Sequence, residues 1–395
     1  MCNLHIKTSA ENDGYPTMIH HSIVNGSPVE APDISGTIDI NHIINGDNLE
    51  VWENSRLKKW LSLEKFIIFG TGGSSLGGQC LHGISKMKDK LTFVNNLDPH
   101  TLKNVLGKIS PHTGFLCISK SGETMETVAQ LLLILGVLER SEISSRVVVI
   151  TENKSSSLRE IAAEYDCLCV DYPKNIGGRF SVFSIVGMLP AFIGGTNPQR
   201  IRSGARQYLE TSRNFAQNGA RFVAGHSQHV SFIYSDKLSF FGAWLAQLYA
   251  ESTGKSGVGV TPLTAMGSFD QHSQLQLYLD GPSDKCFTFF LEKQKTDLAI
   301  SSKIFVPHSF SYIKNKNIAD IFEAQHNATL ESLVEKGVPL RKIEFPELTP
   351  EILGALLAHF IWEVIAVCHI LKVNAFDQPA VERGKIITNK LLGAI

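Results

Sequence analysis

The chain has 395 residues, enough to bury a large core and to divide into two domains. Its 37 Lys and Arg balance 38 Asp and Glu, a net charge of −1, which excludes the broad basic field of a nucleic-acid binder. No apolar run reaches the roughly 18 residues of a membrane span, and the N-terminus, beginning Met1-Cys-Asn-Leu-His-Ile-Lys7, lacks the apolar stretch of a secretory signal.

Residues 1–60 are rich in turn formers, as in Asn25-Gly-Ser-Pro28 and Asn45-Gly-Asp47, and read as an N-terminal arm packed on the body. From Lys65 onward, short apolar strands alternate with amphipathic helices. Strands are predicted at 66–69, 91–94, 114–118, 146–150 and 167–170, with the clearest helix at 124–140. An apolar helix over 181–192 closes a first domain, 61–195. The pattern then repeats through a second domain, 196–375. Its strands fall at 229–234, 286–291 and 341–345, and its helices at 238–250, 318–336 and 350–372, the last of them buried. A Gly-rich connector is expected over 254–267, and a C-terminal segment, 376–395, ends the chain with a helix over 377–390. Such alternation specifies two tandem α/β units, each a doubly wound, mostly parallel sheet flanked by helices. Ligands of these sheets bind beyond the C-terminal ends of the strands.

Several loops there carry chemistry. Gly70-Thr-Gly-Gly-Ser-Ser-Leu-Gly77 joins a strand to a helix, and its glycines let backbone N–H groups approach an anion. A dinucleotide fingerprint fails because Ser75 holds the third glycine position. Ser119-Lys-Ser-Gly-Glu-Thr-Met-Glu-Thr127 adds hydroxyls and an ammonium at a second strand end, so two loops on adjacent strands can converge on one phosphate. Glu123 would repel that phosphate and is expected to face solvent in the first turn of its helix. Gly177-Gly-Arg179 offers close backbone approach and a permanent positive charge. Glu251 falls in the last turn of a helix, where the dipole disfavours a second negative charge. Apolar neighbours would act in the same direction, which suits a proton acceptor working near neutral pH. His359 and Glu363 share a helix face and read as a structural pair, as does the loop pair His226 and His229. Seven scattered cysteines, with Cys167 and Cys169 lacking a second pair for a zinc site, read as reduced thiols of a cytoplasmic protein.

Five motifs in order resemble the glucose-6-phosphate isomerase family over residues 65–390. They are the two loops, Gly177-Gly-Arg-Phe-Ser181, the E-S-x-G-K of 251–255 with the G-x-x-D-Q-H-S of 267–273, and Phe376-Asp-Gln-Pro-Ala-Val-Glu-Arg-Gly-Lys385. The resemblance implies two sugar isomerase (SIS) domains and, in glycolysis and gluconeogenesis, interconversion of glucose 6-phosphate and fructose 6-phosphate through a cis-enediolate. By the same resemblance Gly73, Ser74, Ser119, Lys120, Ser121 and Thr124 bind the sugar phosphate, while Gly178 and Gln378 complete the substrate site. Glu251 would be the base, Arg179 the enediolate stabiliser, and His272 with Lys385 the ring-opening groups. No cofactor, metal, nucleic acid or membrane is implied. The implied assembly is a homodimer with shared active sites, His272 reaching the neighbouring subunit. Ala380 stands where the family has Gly, Arg383 replaces an aliphatic residue, and Gly122-Glu123 departs from the familiar loop. The S-x-S-G-x-T pattern of 119–124 also fits a dual phosphoglucose/phosphomannose isomerase, and a sugar-phosphate-sensing regulator would need the phosphate loops without Glu251, His272 and Lys385 together.

Overall fold

A computed structural model describes residues 18–34, 36–45 and 52–393. Cys2, most of the arm's first residues and all of Asn45-Gly-Asp47 beyond Asn45 lie outside them. The strands in chain order are β1 (His20–Asn25), β2 (Lys65–Phe69), β3 (Leu91–Val94), β4 (Thr113–Ile118), β5 (Val147–Thr151), β6 (Leu168–Asp171), β7 (Gln228–Tyr234), β8 (Thr261–Met266), β9 (Lys285–Glu292) and β10 (Leu340–Phe345).

The first sheet has the order β3-β2-β4-β5-β6 and is parallel throughout. Its strands are apolar on both faces because helices cover both. Phe66, Ile68, Leu116 and Ile150 pack with Ile185 and Leu189 on one side, and Phe69, Phe115, Cys117 and Val149 with Leu131 and Ile134 on the other. The helix expected over 124–140 is shorter, Met125–Leu135: Gly136 closes it, its N–H reaching Leu132 O at 3.1 Å. A separate helix, Arg140–Arg146, follows.

The second sheet has the order β1-β10-β9-β7-β8. Here the structure corrects two expectations. The arm does not merely pack on the body, because β1 pairs antiparallel with β10 and covers an edge that would otherwise expose its backbone. The connector expected over 254–267 contains β8, which among the described residues is an edge strand paired with β7 alone, where Pro262 needs no ladder partner on its open side.

Helix Pro350–Ile370 also corrects the reading that no stretch is long and apolar enough for a membrane. An 18-residue stretch within its 21 residues reaches a mean hydropathy of 1.8, yet 89% of that stretch is buried in the protein. It packs on helix Pro198–Thr211 through two facing glycines: a Cβ on Gly204 would lie 1.9 Å from Glu351 O, and one on Gly354 1.9 Å from Ile201 O. Only glycine permits that approach.

This helix carries a buried ion pair. Glu363 meets Arg341 of β10 through two bonds, Nη1 to Oε2 at 2.6 Å and Nη2 to Oε1 at 2.7 Å, with both side chains fully buried. His359 Nε2 lies 3.1 Å from Glu363 Oε2, as the spacing predicts, and Tyr208 OH 2.7 Å from His359 Nδ1. His229 stands on β7 rather than in a loop, its Nε2 2.6 Å from Thr288 Oγ1.

Burial, reinforced by the Arg341 charge, lowers the pKa of His21, His229 and His359, that of His229 to about 3. The unfolded chain takes up these protons below about pH 6.5 while the folded protein refuses them. Stability is therefore whole above that pH and is lost as the pH falls toward the depressed folded values. The melting temperature is expected to drop between pH 7 and 5 in proportion to the protons excluded, about 1.4 kcal/mol per pH unit for each histidine. A flat Tm across that window would contradict it.

Candidate active site

Strands β2 and β4 lie side by side and parallel, so the loops that follow them open at the same sheet edge. In the first, Gly72–Ser74 forms one 3-10 turn. A Cβ on Gly73 would lie 2.1 Å from the carbonyl carbon of Gly178, so the glycine loop and the Gly177-Gly178 pair touch backbone to backbone. Ser181 Oγ fastens the contact, donating to Gly73 O at 3.2 Å. In the second loop Ser119 Oγ and Thr124 Oγ1 are 2.7 Å apart, and Ser121 Oγ accepts from Glu123 N at 3.1 Å. Lys120 Nζ is 3.6 Å from Glu152 Oε1. Glu123 is exposed, but its carboxylate serves a different helix from the one expected. It accepts from Ser157 N and Ser157 Oγ, each at 2.7 Å, at the start of helix Ser157–Glu164.

Arg179 is the hub of the site. The side chain is 3% exposed, and all five guanidinium N–H groups find oxygen. Nε donates to Ser252 Oγ at 2.8 Å, Nη1 to Glu251 Oε2 at 3.2 Å and to Gln378 Oε1 at 2.9 Å. Nη2 donates to Asp377 O at 3.0 Å and to Ala375 O. A buried charge so completely partnered holds one position, and ties its own segment to two others far off in the sequence, 251–252 and 375–378.

Glu251 ends helix Ser239–Thr253 and is 31% exposed. Its second oxygen, Oε1, accepts from Gln247 Nε2 at 2.8 Å. Its hydrogen-bond partners are a cation and an amide, and apolar Ala250, Val373, Pro379 and Val381 lie around the same opening. The carboxylate opens on a pocket of about 540 Å³ that Gln378, Lys255 and Asp377 also line.

Two expected groups stand apart in this chain. His272 is exposed on the short helix Phe269–Ser273 beyond β8. Lys385 is 67% exposed on helix Glu382–Leu391 and bonds to Glu382 Oε1 at 2.7 Å. Among the described residues, neither bonds to Glu251 or Arg179. The C-terminal segment thus delivers Gln378 to the site and leaves Lys385 outside it. Sequence reasoning did not single out Ser252, Gln247, Lys255 or Asp377. Ser252, Lys255 and Asp377 lie inside the motifs and Gln247 four residues before Glu251, and that adjacency was the available signal.

A family profile described as phosphoglucose isomerase matches residues 51–394. The chain belongs to the phosphoglucose isomerase family. Glucose-6-phosphate isomerase of Rubrobacter xylanophilus is 33% identical, over 83% of this chain and 82% of that one. The enzyme of the same name from Methanocaldococcus jannaschii is 32% identical over 91% and 90%. Among solved structures, a hypothetical protein of Thermus thermophilus superposes with a TM-score of 0.78 at 28% identity, covering 91% of this chain and 92% of its own. A glucose-6-phosphate isomerase of Chlamydia trachomatis gives 0.71 at 22% identity over 86% and 71%, a likeness of fold. The chain is an isomerase with the two-sheet phosphosugar-isomerase fold expected from its sequence.

Proposed function

We propose that this isomerase interconverts glucose 6-phosphate and fructose 6-phosphate, a step of glycolysis and gluconeogenesis, with Glu251 as the base. The observation that carries the reading is the Glu251 carboxylate, partly exposed at a pocket and 3.2 Å from a buried, fully partnered Arg179. The loops at 70–77 and 119–127 anchor the phosphate through Gly73, Ser74, Ser119, Lys120, Ser121 and Thr124. With the ring opened, Glu251 removes the proton from C2 of the aldose. The C2–H electron pair forms the C1–C2 double bond of a cis-enediolate while the C1 carbonyl pair moves to O1. Glu251 then returns the proton to C1 as the O2 proton passes to O1 and the C2 carbonyl forms. Negative charge grows on the enediolate oxygens in that step, and the fixed Arg179 charge, with Gln378 beside it, lowers its cost. A coupled assay of fructose 6-phosphate conversion in the presence of EDTA tests the reaction, and mannose 6-phosphate in parallel tests for dual specificity. No turnover of either ketose or aldose would refute the reading.

We assign His272 and Lys385 to ring opening, and the exposure of His272 here fits a site that it completes across a homodimer. In that arrangement a His272→Ala subunit and a Glu251→Gln subunit are each nearly inactive alone. Refolded together, a mixed two-fold dimer holds one site with both residues intact and one with neither. Mixed dimers form about half the time, so activity should return to roughly a quarter of wild type. No return, with mixed dimers verified by native mass spectrometry, would reject the shared site.

A further inference from the structure

Lys255, the last residue of the E-S-x-G-K segment, takes no part in the steps above, yet it is one of the most confined side chains at the pocket. It is 11% exposed. An ammonium has three N–H donors, and here each has an acceptor: Ser252 O at 2.9 Å, Asp377 Oδ1 at 3.0 Å, and Asn374 O. Ser252 belongs to the helix that carries Glu251. Asn374 and Asp377 belong to the stretch that links helix Pro350–Ile370 to the C-terminal helix and forms neither helix nor strand between 371 and 378. With no ladder or helix of its own, that stretch is held in place by side chains. Arg179 takes the carbonyls of Ala375 and Asp377, and Phe376 rests on Phe180 with ring centres 5.4 Å apart. Helix Glu382–Leu391, downstream, has no buried residue and so supplies no anchor within this chain. Gln378 directly follows Asp377.

We propose that Lys255 is a positioning residue that clamps residues 374–378 to the end of the Glu251 helix and thereby sets Gln378 against Arg179. This rests on the isomerase reading above. Asp377 is the clamp's anionic half, and the hydrogen bond from Lys255 holds its carboxyl below the usual range. The phosphate loops are untouched by the clamp. Its loss should therefore appear in kcat, through a misplaced Gln378, and leave KM nearly unchanged.

The test is a cycle of Lys255→Met, Gln378→Ala and the double variant, read by kcat, KM, Tm and hydrogen exchange of residues 374–378. Lys255→Met should lower kcat by about tenfold or more with KM within about threefold, and speed exchange in 374–378. In the Gln378→Ala background the same change should cost less than about twofold, because its effect runs through Gln378. Costs that multiply in the double variant, or a Lys255→Met kcat within about twofold of wild type, would overturn the proposal. Should Lys255→Met fail to fold, Asp377→Asn enters the same cycle, with a smaller loss in the same direction and the same non-additivity expected, and multiplying costs overturning it. A wild-type protein inactive on sugar phosphates would sink the isomerase reading alone, since faster exchange of 374–378 would still uphold the clamp. Unchanged exchange in an active background would sink the clamp alone.

Discussion

Glu251→Gln is expected to lose at least about a hundredfold in kcat, the scale of removing a general base, and to keep its fold. The substitution preserves shape and leaves an oxygen for Gln247, but the amide cannot accept the C2 proton. Arg179 retains its other acceptors at Ser252, Gln378, Ala375 and Asp377, so the guanidinium stays in place after losing its carboxylate partner. Binding of a competitive sugar phosphate should therefore survive while turnover disappears. Near-normal kcat in this variant would remove Glu251 from the role of base, whatever happened to KM.

The largest expected effect on stability lies away from the pocket, at Glu363. Burial by itself pushes this carboxyl up, but the Arg341 charge and its two hydrogen bonds outweigh that and hold it well below the usual range. A depressed folded pKa means that the pair is intact above the unfolded value near pH 4.5 and fails only as the pH falls through the lower folded one. Glu363→Ala leaves Arg341 charged, fully buried and without its carboxylate, a loss of about 3–5 kcal/mol. The double change Glu363→Leu with Arg341→Met removes both charges and should recover much of that loss. Urea unfolding of the three proteins decides it. A Glu363→Ala variant within about 1 kcal/mol of wild type would show that the pair contributes little.

The first sheet was legible because its strands are unbroken apolar runs bounded by turns, the pattern of a parallel sheet covered on both faces. The loops that follow were legible for a related reason: glycine and small hydroxyl residues between a strand and a helix have few structural uses. The edge strands of the second sheet were not legible. The segment His20-His-Ser-Ile-Val-Asn25 has too few apolar residues to mark a strand, and its partner β10 lies at the far end of the chain. The strand β8 sits among glycines and contains Pro262, so its composition reads as a connector. At the site, Arg179 was legible as a charge but not as a hub, since its acceptors come from residues 251–252 and 375–378. The ion pair of Glu251 escaped for the same cause: its cation arrives from residue 179, far off in the sequence. His272 and Lys385 are legible as motif residues only, because one chain leaves both in solvent.

The central claim is that a carboxylate moves a proton between neighbouring carbons of a sugar phosphate. Incubating the protein with glucose 6-phosphate in deuterium oxide until the sugars reach equilibrium, and reading the carbon-bound hydrogens by NMR, tests this most directly. Proton transfer through Glu251 exposes the migrating proton to exchange, so deuterium should replace the C2 hydrogen of glucose 6-phosphate and one C1 hydrogen of fructose 6-phosphate, and Glu251→Gln should introduce none. Interconversion with no deuterium at either carbon would mean that the migrating hydrogen never passes through an exchangeable carboxylate, and no interconversion would mean that this is not the reaction; either result would contradict the account.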